Sequence, residues 1–271
     1  MKELILKQNP WLEGRKDYHI EKWESMKIRW VPRWINEVSL EPYSLNFIIG
    51  PRQTGKTTGI KLLINELLKK NAPESIFYFD CTLLTTTESL RKVLEEYLEI
   101  KKSEKVESSF IFLDEVTNLN GWWKIVKGYV DMGIFKDDVI SISGSSSIKL
   151  KGEAELFPGR RGKGKDILVL PLTFKEFLEI KGVEIKSEKD IENDMKNLWK
   201  IEDKIREEFK NYLKCGGFPL SINEDPTAEA QLIASIESEL LRAREKLRIN
   251  PSYNKQYFKE SALAFILFNN R

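Results

Sequence analysis

The chain has 271 residues, 41% of them hydrophobic and 32% charged, with 44 basic against 42 acidic side chains. That composition belongs to a folded protein of one large or two modest domains and excludes disordered and fibrous classes. A formal net charge of +2 singles out no partner, and the single histidine, His19, excludes a His-cluster metal site.

The two cysteines, Cys81 and Cys215, lie far apart with no CxxC spacing and read as packed thiols of a reducing compartment. No apolar run approaches the ~18 to 20 residues that span a bilayer. The N-terminus has neither a long apolar region nor a small-residue cleavage site, so a cytoplasmic protein without a membrane partner is expected.

Residues 1–40 form an arm rich in tryptophan and charge. Its Trp11, Trp23, Trp30 and Trp34 are expected to pack on the main domain, the other reading being a dedicated binding role. Residues 41–171 alternate short apolar runs with amphipathic stretches. Strands are expected over 45–50 (LNFIIG), 75–80 (SIFYFD), 109–114 (SFIFLD), 139–144 (VISISG) and 166–171 (DILVLP). Each is nearly continuous in apolar residues, the pattern of strands buried on both faces of a parallel sheet. Helical patterns separate them over 56–70, 85–100 (opened by a threonine cap signal) and 122–133. This alternation predicts an α/β fold with a parallel five-stranded sheet between helices. Beyond residue 171 strand signals stop. Helices are expected over 173–180, 190–217, 229–248 and 258–270, with an exposed loop at 181–190, so residues 172–271 read as a small all-helical lid domain.

The run Gly50-Pro51-Arg52-Gln53-Thr54-Gly55-Lys56-Thr57 fits G-x-x-x-x-G-K-[ST], between an expected strand and an expected helix. Its glycines let the loop curl so that backbone N–H groups face phosphate oxygens. Lys56 brings positive charge to the β- and γ-phosphates, and the Thr57 hydroxyl ligates Mg²⁺. The helix that starts there adds the positive end of its dipole. Pro51, Arg52, Gln53, Thr54, Gly55, Lys56, Thr57 and Thr58 are therefore the nucleotide-binding run. The strand ending FIFLDE supplies the second half. Asp114 is expected to accept from magnesium-bound water, and Glu115 to polarise the attacking water as general base. Ser143 and Ser145, in SISGSSS, are candidates to touch the γ-phosphate or that water, the other reading being a plain Ser-Gly loop. Arg160 and Arg161, in FPGRRGKGKD, offer an arginine for transition-state charge, in cis or from a neighbour, or else a basic surface loop.

The ordered set GPRQTGKTT, FIFLDEVTNLNGWW, SISGSSS, FPGRRGKGKDILVLPLTFKEFL and GGFP resembles prokaryotic, largely archaeal AAA-type ATPases of the additional-strand, catalytic-glutamate class. The resemblance covers roughly residues 8 to 265. It implies Lys56 and Thr57 on phosphate and magnesium, Asp114 as the Walker B acid and Glu115 as the catalytic one. It further implies Ser143 or Ser145 as sensor and Arg160 as a sensor or finger arginine. The choice of ATP and ADP over guanine nucleotides rests on it, as does an adenine pocket involving KIRWVPRW. In that family a winged helix and often a nuclease-like domain follow; this chain stops at Arg271, so it is expected to be naturally short or truncated.

The expected function is Mg²⁺-dependent ATP hydrolysis coupled to motion of the helical domain. The rival is a slow-turnover nucleotide switch or adaptor in signalling or DNA-associated complexes, and a small-molecule kinase is a third. The apolar C-terminal helix suggests self-association or a protein partner. A DNA partner would rest on Arg242, Arg244, Lys246 and Arg248, a run that also reads as a solvated helix face.

Overall fold

The computed structural model describes residues 1–145, 147–183, 202–213 and 217–223. It divides into two compact units, Met1–Leu170 and Pro171–Arg271. Helices expected over 229–248 and 258–270, the basic run from Arg242 to Arg248, Cys215 and most of the 181–190 loop lie outside the described residues.

The first unit is a five-stranded, wholly parallel sheet of β1 (Ser44–Ile49), β2 (Ile76–Asp80), β3 (Phe110–Asp114), β4 (Val139–Gly144) and β5 (Asp166–Leu168). The spatial order is β2-β3-β4-β1-β5, so β4 is inserted between the strands that lead to the glycine-rich loop and to Asp114. All five expected strands form. β5 is shorter than expected because its ladder ends with Val169, whose N–H reaches Ile49 O at 2.7 Å, and Pro171 has no N–H to extend it.

Alternation along the strands sorts the core into two layers. Phe47, Ile49, Phe77, Phe79, Ile111, Leu113, Ile140 and Ile142 face one side. They pack with α4 (Thr87–Ser103), α5 (Trp122–Asp131) and Leu150, Ala154 and Phe157 in and after α6 (Ser147–Ala154). Ile48, Ile76, Tyr78, Phe112, Ile167 and Val169 face the other, against Ile60, Leu63, Ile64 and Leu67 of α3 (Lys56–Leu67). α4 opens where the threonine signal placed it: the Thr86 side chain accepts from Ser89 N.

Residues 1–40 belong to the first unit, with α1 (Lys2–Gln8), α2 (Tyr18–Ser25) and two short 3₁₀ turns. Trp34 packs so closely on α3 that a Cβ at Gly59 would stand 2.2 Å from its ring. The N-terminal residues also close the outer edge of β2 with side chains instead of a sixth strand. Asn9 Nδ2 donates to Tyr78 O (2.8 Å) and its Oδ1 accepts from Tyr78 N (2.7 Å), as a strand backbone would. Trp11 Nε1 donates to Ile76 O (3.0 Å), and Gln8 Oε1 accepts from Asp80 N (2.6 Å). Three side chains thus satisfy the backbone groups that a free edge would expose.

In the second unit α7 (Phe174–Ile180) begins in a capping box between Thr173 and Glu176. Residues 202–213 are helical. Tyr212 is held by its hydroxyl on Leu172 O (2.7 Å) and lies 5.5 Å from Phe177, centroid to centroid.

Candidate functional site

The loop after β1 turns through two left-handed residues, Gln53 (φ 63°) and Gly55 (φ 85°). Gly55 is the N-cap of α3, where the left-handed conformation costs a glycine little. Lys56, the first helical residue, is 5% exposed. Its Nζ donates to Gly50 O (2.8 Å) and Pro51 O (2.7 Å). Thr54 Oγ1 also donates to Pro51 O (2.9 Å), so the loop closes on itself around the ammonium. Thr57 and Thr58 follow, half-buried, on the first turn of α3. Arg52 Nε reaches Ser145 Oγ at 3.4 Å, which ties the loop to the tip of β4.

Asp114 ends β3 and is 1% exposed. Its Oδ2 accepts from Thr57 Oγ1 (2.7 Å) and Tyr78 OH (3.0 Å); its Oδ1 accepts from Ser143 Oγ and from Glu115 N (3.0 Å). Four donors therefore meet a carboxylate with about four acceptor positions, so its hydrogen-bonding capacity is met although it lies away from water. Glu115 has φ 54°, uncommon for a residue with a side chain, and its Oε2 accepts from Ser145 N (3.1 Å). Lys56, Thr57, Asp114, Glu115, Ser143 and Ser145 are thus gathered at the ends of β1, β3 and β4.

Arg160 is not among them. Arg161 O accepts from Leu45 N, and Lys163 N donates to Tyr43 O, so this segment lies beside the start of β1, at the edge of the sheet formed by the strands' N-terminal ends. Arg160 pairs there with Asp131, a partly exposed carboxylate at the end of α5.

Sequence reasoning missed a second cluster under Asp114. Lys61 of α3 is 3% exposed, and its Nζ pairs with Asp17 (2.9 Å) and lies 3.3 Å from the centroid of the Tyr78 ring. Burial lowers the Lys61 pKa, opposed first by Asp17 and more weakly by Asp114 and Asp80. Burial likewise pushes the Tyr78 hydroxyl well up, so it remains a protonated donor. The available signal was Lys61 four residues after Thr57, on the same apolar stripe as Ile60 and Ile64. Nearby His19, an exposed residue, is held below its ordinary pKa by partial desolvation, with Asp17 opposing and Lys61 adding to the effect.

Two relatives are 27% identical to the chain: an uncharacterized protein of Methanocaldococcus jannaschii over 198 residues, and an uncharacterized protein of Haemophilus influenzae over 199. The matches cover 73% and 71% of this chain but only 41% and 44% of those proteins, so the chain spans less than half the length of the curated relatives it matches. Among solved structures, the Aeropyrum pernix ORC1 protein in complex with DNA aligns with 98% of this chain and 64% of its own, at 13% identity and a TM-score of 0.41. Among the described residues, no helix is long and apolar enough to cross a membrane. The family model for the AAA domain matches residues 43–178, half of the chain and the whole loop-and-carboxylate cluster, and the chain belongs to that family.

Proposed function

We propose that the chain binds adenine nucleotide with Mg²⁺ and hydrolyses ATP where β1, β3 and β4 end, coupling nucleotide state to movement of a helical domain at 172–271. The observation that carries this reading is the 2.7 Å contact between Thr57 Oγ1 and Asp114 Oδ2, which joins the glycine-rich loop to the carboxylate strand. Lys56 now spends its protons on two neutral carbonyls; phosphate oxygens are charged acceptors and bind it more strongly. The N–H groups around Gly55 and the N-terminus of α3 supply the remaining donors.

The donor set also suits magnesium. Thr57 gives its proton to Asp114 and keeps oxygen lone pairs for a hard cation, while Asp114 offers hard oxygen to a water in its shell. Mg²⁺ held there would neutralise charge on the phosphates. Glu115 serves as general base for the attacking water, and Ser143 and Ser145 sit at the β4 tip as phosphate contacts. Arg160, at the far edge of the sheet, takes part only by reaching the site of a second copy. The test is titration of ATP into the protein with and without Mg²⁺, on wild type and Lys56→Ala. Magnesium-dependent affinity that Lys56→Ala abolishes is expected; no such affinity in wild type would overturn the reading.

A second reading, a slow-turnover switch, is favoured by Glu115 Oε2 resting on Ser145 N rather than standing free. It differs in turnover alone, since binding is common to both.

A further inference from the structure

We infer that Tyr78 is a positioning residue for the Asp114 carboxylate, and that Asn9, Asp17 and Lys61 hold it in place, which makes the N-terminal residues part of the metal site's support. This rests on the reading above that Asp114 manages magnesium.

The four donors on Asp114 are not equivalent. Glu115 N is backbone and Thr57 belongs to the nucleotide loop. Ser143 is a short, buried side chain near the end of β4, and rotation about its one side-chain bond would take its hydroxyl off Oδ1 and leave that place to a metal-bound water. Tyr78 has no such freedom. Its ring is 4% exposed with the Lys61 ammonium seated on its face, and Asn9 clamps both its backbone N–H and its carbonyl. The hydroxyl on Oδ2 is therefore the fixed reference that orients the carboxylate whatever the loop and the β4 tip do.

Lys61 is hard to explain as packing alone. A buried ammonium on an apolar stripe costs stability unless it is paired, and here its ion-pair partner, Asp17, comes from the N-terminal segment at the cap of α2. An aliphatic residue would fill the space without that penalty. The charge instead presses on the face of the ring whose hydroxyl holds Asp114.

The experiment is a titration of Mg²⁺ at fixed ATP, read by nucleotide fluorescence or calorimetry, with Mn²⁺ binding by electron paramagnetic resonance as an independent readout. Tyr78→Phe keeps the ring and its contact with Lys61 and removes only the hydroxyl. The midpoint in Mg²⁺ is expected to rise roughly tenfold, as for loss of other outer partners of metal ligands, while ATP affinity in EDTA is unchanged. Asp17→Asn should shift the midpoint the same way by less. An unmoved midpoint in Tyr78→Phe, whatever its thermal stability, overturns the inference, because a tyrosine that merely fills the core would behave so. A lowered midpoint also overturns it, since the hydroxyl would then be blocking the metal. A wild-type midpoint in Asp17→Asn removes the anchoring part. If wild type shows no magnesium dependence at all, the proposed function fails and this inference with it, whereas a wild-type dependence that Tyr78→Phe leaves alone sinks this inference only.

Discussion

The edges of the sheet where the strands end and where they begin balance charge differently. Where β1, β3 and β4 end, Asp114 is 1% exposed and collects donors from four segments of the chain. Where β1 and β4 begin, Arg160, Arg161 and Lys163 pair with Asp131, Asp166 and Glu41 at the surface, one to one. Exposed pairs of that kind add little and are screened by salt. One carboxylate is buried at this end too, Asp138, which is 1% exposed just before β4, but its Oδ1 takes the Lys101 ammonium together with Ser109 N and Oγ, whereas the donors on Asp114 are all neutral. Charge matched by its own cation at one edge and a buried carboxylate left to neutral donors at the other mark the latter as the working edge, and the following substitutions test that contrast.

The largest effect is expected at the working edge. Glu115→Gln should lower the rate of phosphate release by about 10²- to 10⁴-fold, the usual contribution of a general base, with ATP affinity kept. Equal turnover in wild type and variant would leave only the switch reading. Gly59→Ala, which drives a methyl group into Trp34, should lose roughly 1 to 3 kcal/mol in denaturant unfolding, as overpacked cores do. Asn9→Ala leaves Tyr78 N and O without their side-chain partners and should cost about 1 to 3 kcal/mol by the same measurement. At the other edge, Arg160→Ala should change neither the unfolding midpoint nor ATP affinity in dilute protein. A fall in turnover that appears only as protein concentration rises would assign Arg160 to a neighbouring copy.

The smallest effect concerns pH. Partial desolvation by its neighbours depresses the pKa of the surface residue His19 in the folded chain below its ordinary 6.5. As pH falls through 6.5 the unfolded chain takes up a proton that the folded chain resists, so stability drops over that window. His19 is the only histidine, so the loss should vanish in His19→Asn when unfolding is followed at matched pH values.

The strands and the phosphate loop were legible because they depend on neighbours in sequence: continuous apolar runs for buried parallel strands, and fixed glycine, lysine and threonine spacing for the loop. β5 shows a local signal that was passed over, since the proline that closes DILVLP has no N–H and the ladder stops at Val169. Tyr78 read as one more strand aromatic and Lys61 as one more helix lysine. Their roles arise from contacts between segments tens of residues apart, which no local pattern encodes. Arg160 shows the converse. Its Gly-rich, basic context suited two readings equally, and only the register of the 161–163 segment against Tyr43 and Leu45 sets it at the far edge.

Gln8, Asn9 and Trp11 act as an end-stop on the sheet. Shortening the chain past Trp11 would convert β2 into a template on which another molecule's strand can assemble. Such shortened chains are expected to polymerise rather than merely melt sooner, with light scattering rising before helical signal is lost.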